Sequence, residues 1–173
     1  MKNFVSCDIL PFFKEDSTIE LLSSIIGCMY CGIIISKTEG EFLIWNSVAE
    51  EIFGKKEENI PCETWTEFYG LHNPETEKLL DYTEMPLYKA MNGLSVYNYI
   101  ILVKNKTVSR SWISCNASPL LREGKVIGGL VVFQDITHEK MLEENEKELL
   151  ENIRVLKEQQ HSMLEKWSNL TVR

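Results

Sequence analysis

The stretch that decides the fold runs from Gly128 to Thr137 and has the sequence Gly-Gly-Leu-Val-Val-Phe-Gln-Asp-Ile-Thr. It begins as an apolar strand and ends in Asp135, Ile136 and Thr137, where helix-capping residues take over. Strands, turns and short helices are predicted before it, and one long charged helix is predicted after it. A strand that passes directly into a helix can transmit a change inside a domain, so these last three residues form a candidate signal junction.

An apolar hairpin and a short helix are predicted earlier in the chain. Residues 33–36 and 42–45 are apolar runs on either side of the turn sequence Lys-Thr-Glu-Gly. Asn46 then offers an N-cap, and Gly54 a C-cap, for a short helix. The polar region that follows, residues 55–84, is broken by prolines and predicts loops and short helical turns.

Three longer strands are predicted in the second half of the chain, over residues 96–103, 108–117 and 126–134. Pro119 and a glycine-containing turn separate the last two strands. Two strands, short helices and then three strands are typical of an α+β fold, with one antiparallel sheet and its helices on one side.

Composition excludes several functions. The net charge is −8 over 173 residues, so we expect no direct nucleic-acid binding, because phosphate binding needs clustered Lys and Arg. The N-terminus lacks the uninterrupted apolar core of a signal peptide, and no run reaches membrane-spanning length. With five cysteines and no export signal, we expect reduced thiols and a cytoplasmic protein without a membrane span.

Short motifs occur in a fixed order along residues 16–137. They are Gly32-Ile33-Ile34-Ile35, Ile44-Trp45-Asn46, Ala49-Glu50-Glu51-Ile52-Phe53-Gly54, Trp65 to Leu71, Glu84 to Leu87, Ala90 to Gly93, Ser118-Pro119-Leu120 and Gly128 to Thr137. In this order they resemble the PAS domain, in a variant common in bacterial sensor proteins. The resemblance implies a five-stranded antiparallel sheet around a small cavity, and a role in sensing or dimerisation rather than catalysis.

The resemblance covers residues 16–137 as a PAS domain, which leaves an N-terminal segment over residues 1–15 and a predicted coiled-coil output helix over residues 138–173. The first segment is too apolar for a free tail, so we expect it to pack on its own domain or on a partner. A short N-terminal helix is predicted after it, ending at Gly27.

Alternation on the last two strands predicts the wall of the cavity. Ile113, Cys115 and Ala117 share one strand face, and Val131 and Phe133 share another. By the resemblance, these side chains point toward the cavity. The same alternation fits a core that side chains fill completely, so a small-molecule ligand and a ligand-free scaffold both stay open.

Three further residues complete the predicted site. Phe53 lies across the cavity on the short helix by the resemblance. Asn46 and Tyr69 are the polar groups expected to orient a ligand, although Asn46 also fits a role that is limited to capping a helix.

Neither flavin nor haem is supported as a cofactor, and the ligand stays unknown. Flavin-binding light sensors of this family carry a cysteine directly after an asparagine, whereas Cys62 lies three residues after Asn59. Haem-binding members carry a histidine on the helix before the third strand. That place falls near Tyr82, whereas His72 lies in the loop before it.

Cys28 and Cys31 form the sharpest local motif. Two thiols at this spacing can chelate a metal, hold part of an iron–sulfur cluster or form a redox pair. A closed metal site needs more ligands, and Cys62 and Cys115 lie at spacings that match no cluster pattern. Thiols that fill core space are the favoured interpretation, and a redox or iron–sulfur sensor is the alternative.

The C-terminal helix carries a heptad stripe that it cannot bury against a small sheet along its whole length, which predicts a homodimeric parallel coiled coil. Glu146 and Gln160 interrupt the seam, which weakens such a coil and can make it switchable. Leu150 and Leu164 widen the stripe, so a four-helix bundle stays open. The apolar seam residues are Leu142, Leu149, Ile153, Leu156, Met163, Trp167 and Leu170.

The output of the chain stays open between a sensor kinase, a transcription regulator and neither. His161 lies in the helix, but Ser162 follows it where a histidine-kinase phosphoacceptor would have an acidic residue. Residues 170–173, Leu-Thr-Val-Arg, resemble the start of a LuxR-type DNA-binding domain. Without a phosphate loop, nucleophile elbow or metalloprotease motif, we expect a sensory and dimerisation module and not an enzyme.

Overall fold

The computed structural model describes residues 24–171, of which residues 24–28 are helical. For residue 162 and residues 164–171 only the backbone is described. The predicted N-terminal segment, residues 1–15, and the start of the predicted N-terminal helix lie outside the described residues. The chain divides into two units, the first ending at Asp135 and the second beginning at Ile136.

The first unit contains a mixed set of strands and short helices, and the second contains one long helix. The strands are β1 (Gly32–Lys37), β2 (Phe42–Trp45), β3 (Leu71–His72), β4 (Val96–Val103), β5 (Ser111–Arg122) and β6 (Lys125–Asp135). The α-helices are α1 (Ser47–Phe53), α2 (Trp65–Tyr69), α3 (Pro86–Met91) and α4 (Thr137–Thr171), and single 3₁₀ turns cover Cys62–Thr64 and Tyr82–Glu84. The strands form one antiparallel sheet in the order β2-β1-β6-β5-β4-β3.

The prediction of five strands is wrong by one edge strand, β3. It pairs with β4 through Leu71 with Val103 and His72 with Leu102. Two residues are too few to show the alternation that identifies a strand, so β3 could not be predicted from its own residues. β3 begins directly after Gly70, where a side chain's Cβ would lie 2.1 Å from the Lys104 carbonyl oxygen. Only glycine lets the chain pass this close to the end of β4.

The strand predicted over residues 108–117 is β5, but it runs from Ser111 to Arg122 and so continues past Pro119. β4 pairs with β5 only as far as Ala117, so Pro119 has β6 on one side and no strand on the other. Proline is tolerated at such an edge because no ladder partner needs its missing N–H. β5 then reaches β6 through Glu123 and Gly124, which both have positive φ, 52° and 76°, as a tight hairpin turn requires.

Helices α1, α2 and α3 pack on one face of the sheet, as the α+β pattern predicts. The closest approach is at Gly129 of β6, where a Cβ would lie 2.9 Å from the backbone nitrogen of Met91. Ala90 in the same helix is fully buried, so two small residues let α3 lie directly on the strand. The result is a single core on the inner face of the sheet.

Candidate ligand cavity and signal junction

A small cavity of about 50 Å³ lies between the inner face of the sheet and the short helices. The structure places most of the predicted wall residues around it. The predicted residues that line the cavity are Phe53, Tyr69, Ile113, Cys115, Val131 and Phe133. Ala117 is also buried on β5, but it does not reach the cavity wall.

Asn46 is held away from the cavity by backbone groups. Its Oδ1 accepts hydrogen bonds from the backbone N–H of Ile33 and of Ala49, both at 3.0 Å. Its Nδ2 donates to the Cys31 carbonyl oxygen at 2.9 Å. Asn46 therefore joins the start of β1 to the N-terminus of α1, and its oxygen has no lone pair left for a ligand.

Sequence reasoning missed two aromatic wall residues, Phe42 and Trp45, because β2 contains a bulge. Trp45 lies opposite Ile34 and Phe42 lies opposite Ser36, so Leu43 is an extra residue between them. The bulge turns Trp45 and Phe42 to the same inner face, although simple alternation puts them on opposite faces. No residue type in β2 signals the bulge in advance.

The other missed wall residues come from loops, helices and strands whose cavity-facing side the sequence did not show. They are Ile34, Trp65, Leu71, Met85, Pro86, Leu87 and Ile101.

The aromatic rings of the wall form a connected cluster. The Trp45 ring centroid lies 5.0 Å from that of Tyr69, 5.5 Å from that of Phe53 and 5.1 Å from that of Phe42. Phe53 continues the cluster to Phe133 on β6 at 5.2 Å. These separations are those of favourable tilted and edge-to-face ring pairs, so the rings hold one another in place.

The polar groups of this cluster differ in whether they have a hydrogen-bond partner. The Tyr69 hydroxyl accepts from the Glu58 backbone N–H at 3.1 Å and donates to the Lys56 carbonyl oxygen at 3.4 Å. The Trp65 indole N–H donates to the Ile60 carbonyl oxygen at 3.2 Å. The Trp45 indole N–H is buried and has no hydrogen-bond partner among the described residues. Burial raises the pKa of Tyr69 to about 12, so its hydroxyl stays protonated at physiological pH.

The cysteines do not assemble into a site in the described part of the chain. Burial raises the pKa of the Cys115 thiol to about 12, which suppresses the reactive thiolate. Cys31 is buried and Cys28 is exposed, and both are free thiols. Within residues 24–171, no three His, Cys, Asp or Glu side chains lie close enough to hold a metal ion. The Cys28 and Cys31 pair therefore finds no further ligand there.

The predicted junction begins inside the sheet. Asp135, the last residue of β6, pairs with Ile113 of β5 and accepts a hydrogen bond from the Ser111 hydroxyl at 3.1 Å. Ile136 begins the second unit, and its carbonyl oxygen accepts from the Lys140 N–H at 3.0 Å. Thr137 is the first residue of α4.

The apolar stripe of α4 is open to solvent. Leu142, Leu149, Ile153, Leu156 and Met163 are all exposed, and the side chain of Trp167 lies outside the described residues. None of the helices described is both long enough and apolar enough to span a bilayer.

Comparisons with known proteins agree with this architecture. The family model for the PAS domain matches residues 31–138. A search of curated proteins found no match. Among solved structures, the PAS domain of a Colwellia psychrerythraea protein is 19% identical, covering 70% of this chain and 98% of its own, with a TM-score of 0.48. The PAS domain of Bordetella pertussis BvgS is 15% identical, covering 77% and 96%, with a TM-score of 0.47.

An RNA-binding light-oxygen-voltage receptor has a TM-score of 0.52 at 15% identity. The match covers 87% of this chain but only 40% of the receptor. At this identity the likeness shows a shared fold.

Proposed function

This chain belongs to the PAS domain family, and we propose that it acts as a sensory and dimerisation module of a signal-transduction protein. A change in the occupancy of the cavity shifts β5 and β6 and leaves the domain through Asp135, Ile136 and Thr137. The shift then alters how α4 pairs with α4 of a second copy.

The observation that carries this proposal is that the same two strands line the cavity and hold the junction. Phe133 lies in the cavity wall, and Asp135 follows it two residues later on the same strand. On β5, Ile113 lines the cavity. Ser111 lies two residues before Ile113 on the same strand, and its hydroxyl donates a hydrogen bond to Asp135. Two residues of strand span about 7 Å, so a displaced Phe133 ring moves the Ser111–Asp135 hydrogen bond with it.

The dimer part of the proposal rests on the exposed seam of α4. Leu142, Leu149 and Leu156 recur every seven residues and are exposed. A second copy in parallel register would bury all of them as the seam of a two-stranded coil. Glu146 would then face Glu146 of the other copy, which weakens the coil where it leaves the domain and makes its pairing adjustable.

We also propose that the module is not an enzyme. The described residues that line the cavity have aliphatic, aromatic or sulfur-containing side chains, and none of them carries a carboxylate or an imidazole. Its buried thiol, Cys115, is held in the protonated form. These groups suit a binding cavity rather than acid–base or nucleophilic chemistry.

The test measures helix pairing when the cavity is filled by mutation. A spin label on a genetically encoded non-natural residue at Glu144 leaves the native cysteines untouched, and pulsed electron paramagnetic resonance gives the distance between copies. Val131→Ile adds one methylene to the cavity wall and is expected to shift that distance. Val132→Ile, the same change on the opposite strand face, is the matched control.

The junction is tested in the same background. Adding Asp135→Ala to Val131→Ile removes the acceptor of the Ser111 hydroxyl and is expected to abolish the shift. Identical distance distributions for the native chain and for both single isoleucine variants would reject transmission through the sheet.

A ligand-free dimerisation scaffold is the second candidate function, and the small cavity volume favours it. About 50 Å³ is well below the ~300–1,000 Å³ of a typical ligand pocket. The scaffold predicts the same dimer, but native mass spectrometry would find no bound molecule, and Val131→Ile would leave the spin-label distance unchanged.

A further inference from the structure

The β4–β5 loop, residues 104–110, holds the C-terminal ends of two helices of the cavity wall. Asn105 in this loop donates from Nδ2 to the Phe53 carbonyl oxygen at 3.0 Å and to the Tyr69 carbonyl oxygen at 2.9 Å. Phe53 is the last residue of α1, and Tyr69 is the last residue of α2. The last carbonyl groups of a helix lack partners inside it, so one side-chain amide caps both helices.

The oxygen of the same amide forms the turn of the loop itself. Asn105 Oδ1 accepts from the backbone N–H of Thr107 at 2.8 Å and from that of Val108 at 2.9 Å. The Asn105 backbone N–H donates to the Val108 carbonyl oxygen at 2.8 Å. Both N–H donors and both lone pairs of the amide are therefore used, which fixes its orientation.

Close packing shows that the loop lies directly on both helix ends. A Cβ at Gly54, the C-cap of α1, would lie 2.6 Å from Thr107 Cγ2. Gly70, the C-cap of α2, accepts from the Lys104 N–H at 2.8 Å through its carbonyl oxygen. Both glycines have positive φ, 60° and 72°, so each helix ends at a residue whose missing side chain leaves room for the loop.

The other end of the loop leads into the signal junction. Ser111, the first residue of β5, follows the loop directly, and its hydroxyl donates to Asp135 at 3.1 Å. Arg110, the last loop residue, contacts Glu77 at 2.6 Å and lies 4.5 Å from the centroid of the Trp112 ring. A loop that is held at both ends passes a displacement on instead of absorbing it.

We propose that Asn105 is a positioning residue that couples the ends of α1 and α2 to the Ser111–Asp135 hydrogen bond through the β4–β5 loop. The inference deepens the sensory function proposed above and rests on it, because it adds a second route from the cavity wall to the junction. A movement of α1 or α2 shifts the Asn105 amide, and the loop carries this shift to Ser111. An amide that only capped the helices would stabilise them without linking them to the junction.

Two substitutions, one at each end of this route, measure the coupling. Tyr69→Phe removes the hydroxyl's bonds to Glu58 and Lys56, so it perturbs the α2 side of the cavity without changing a residue of β5 or β6. In two-dimensional ¹⁵N NMR of the full chain, we expect it to shift the amide resonance of Ser111.

The second substitution perturbs the junction and is read at the helix ends. Coupling between two sites is reciprocal. Ser111→Ala, which removes the donor to Asp135, should therefore shift the amide resonances of Gly54 and Gly70.

Asn105→Asp cuts the proposed link selectively. The carboxylate keeps an acceptor for Thr107 and Val108, but its second oxygen carries no proton to donate to the two helix carbonyl groups. Both shifts, the one at Ser111 and the one at the helix ends, should therefore disappear in this background. If Asn105→Asp does not fold, Asn105→Ser takes its place, since its short hydroxyl supports a turn but does not span two carbonyl groups.

Asn73→Asp is the matched control. Asn73 Oδ1 accepts from the backbone N–H of Glu75 and of Thr76, both at 2.9 Å, so it forms the same kind of turn in its own loop. In this background both shifts should keep their native size.

Three results would overturn the proposal. They are no shift at Ser111 from Tyr69→Phe in the native chain, a shift that keeps its size in Asn105→Asp, and an equal loss in Asn73→Asp. The second result would show that the sheet alone transmits the change. The resonances report on the first unit of one copy, whereas the spin-label distances report on the pairing of α4, so either proposal can fail while the other stands.

Discussion

The two units of this chain differ in the exposure of their apolar side chains, which are buried in the first unit and exposed in α4. In the first unit, Val103, Ile113 and Phe133 are 0%, 1% and 2% exposed. In α4, Leu149 and Leu156 are 60% and 64% exposed. The first unit builds a core from its own strands and helices, whereas the apolar seam of α4 is exposed and would be covered by the proposed second copy.

The difference separates two kinds of stability. Burial inside the first unit is intramolecular, so its free energy of unfolding should not depend on protein concentration. The proposed pairing of α4 between copies would be bimolecular, so it should strengthen as the concentration rises. Substitutions in the two units should therefore be visible in different measurements.

The largest expected effect is in the first unit, at Phe133. Phe133→Ala removes a fully buried ring that contacts Phe53 and lines the cavity, so it should lower the free energy of unfolding by about 3–5 kcal/mol. Urea unfolding followed by circular dichroism measures this loss. Leu121→Ala, at a position 62% exposed on β5, is the control and should stay within about 0.5 kcal/mol of the native chain.

If Phe133→Ala lowered the free energy of unfolding only as little as Leu121→Ala, the contrast between a buried core in the first unit and an exposed seam in α4 would be contradicted. Such a result would mean that the cavity side of β6 is not part of the packed core.

The second prediction concerns α4, at Leu149 and Leu156. Replacing both with alanine keeps helix propensity but removes two seam side chains, so the dimer dissociation constant should rise about a hundredfold or more. Sedimentation equilibrium measures it. Urea unfolding of the sheet should change little, because neither side chain belongs to the core of the first unit.

The matched control replaces Glu144 and Glu151, which lie on the helix face opposite the seam, with alanine. It should leave the dissociation constant nearly unchanged. Equal weakening by the control would show that α4 pairs through another face.

The sequence predicted best where structure depends on local chemistry. The cap residues Asn46 and Gly54 bracket α1 as expected, since each cap acts on the helix end beside it. The strand predicted over residues 96–103 is β4, because its apolar and β-branched run continues through the whole strand. The antiparallel sheet with helices on one face followed from the order of these elements.

Prediction failed where a distant partner decides the structure. β3 exists because Leu71 and His72 meet β4, and two residues carry no periodicity of their own. The bulge at Leu43 depends on the pairing of β2 with β1, so simple alternation could not place Trp45 in the cavity wall. The missing acceptor of the Trp45 indole could be found only once every neighbour was in place.

The smallest expected effect is a pH dependence of the free energy of unfolding of the first unit, and it comes from Tyr69. Tyr69 belongs to the packed core of the first unit, and burial raises its pKa to about 12, compared with about 10 in an unfolded chain. A raised pKa means that the folded state holds the proton more tightly. This contribution to stability is fully present below pH 10 and is lost as the pH rises from about 10 to about 12.

The free energy of unfolding of the first unit should fall across that range by up to about 2–3 kcal/mol on account of Tyr69. Tyr69→Phe removes this contribution, so the difference between native and variant unfolding, measured in urea at several pH values, isolates it. At neutral pH the variant should lose only about 1 kcal/mol, the worth of the hydroxyl's bonds to Glu58 and Lys56. Tyr97→Phe, at an exposed position, is the matched control. If Tyr69→Phe and Tyr97→Phe followed the same pH curve, the aromatic cluster would be open to water, and the contrast between a sealed first unit and an exposed α4 seam would be lost.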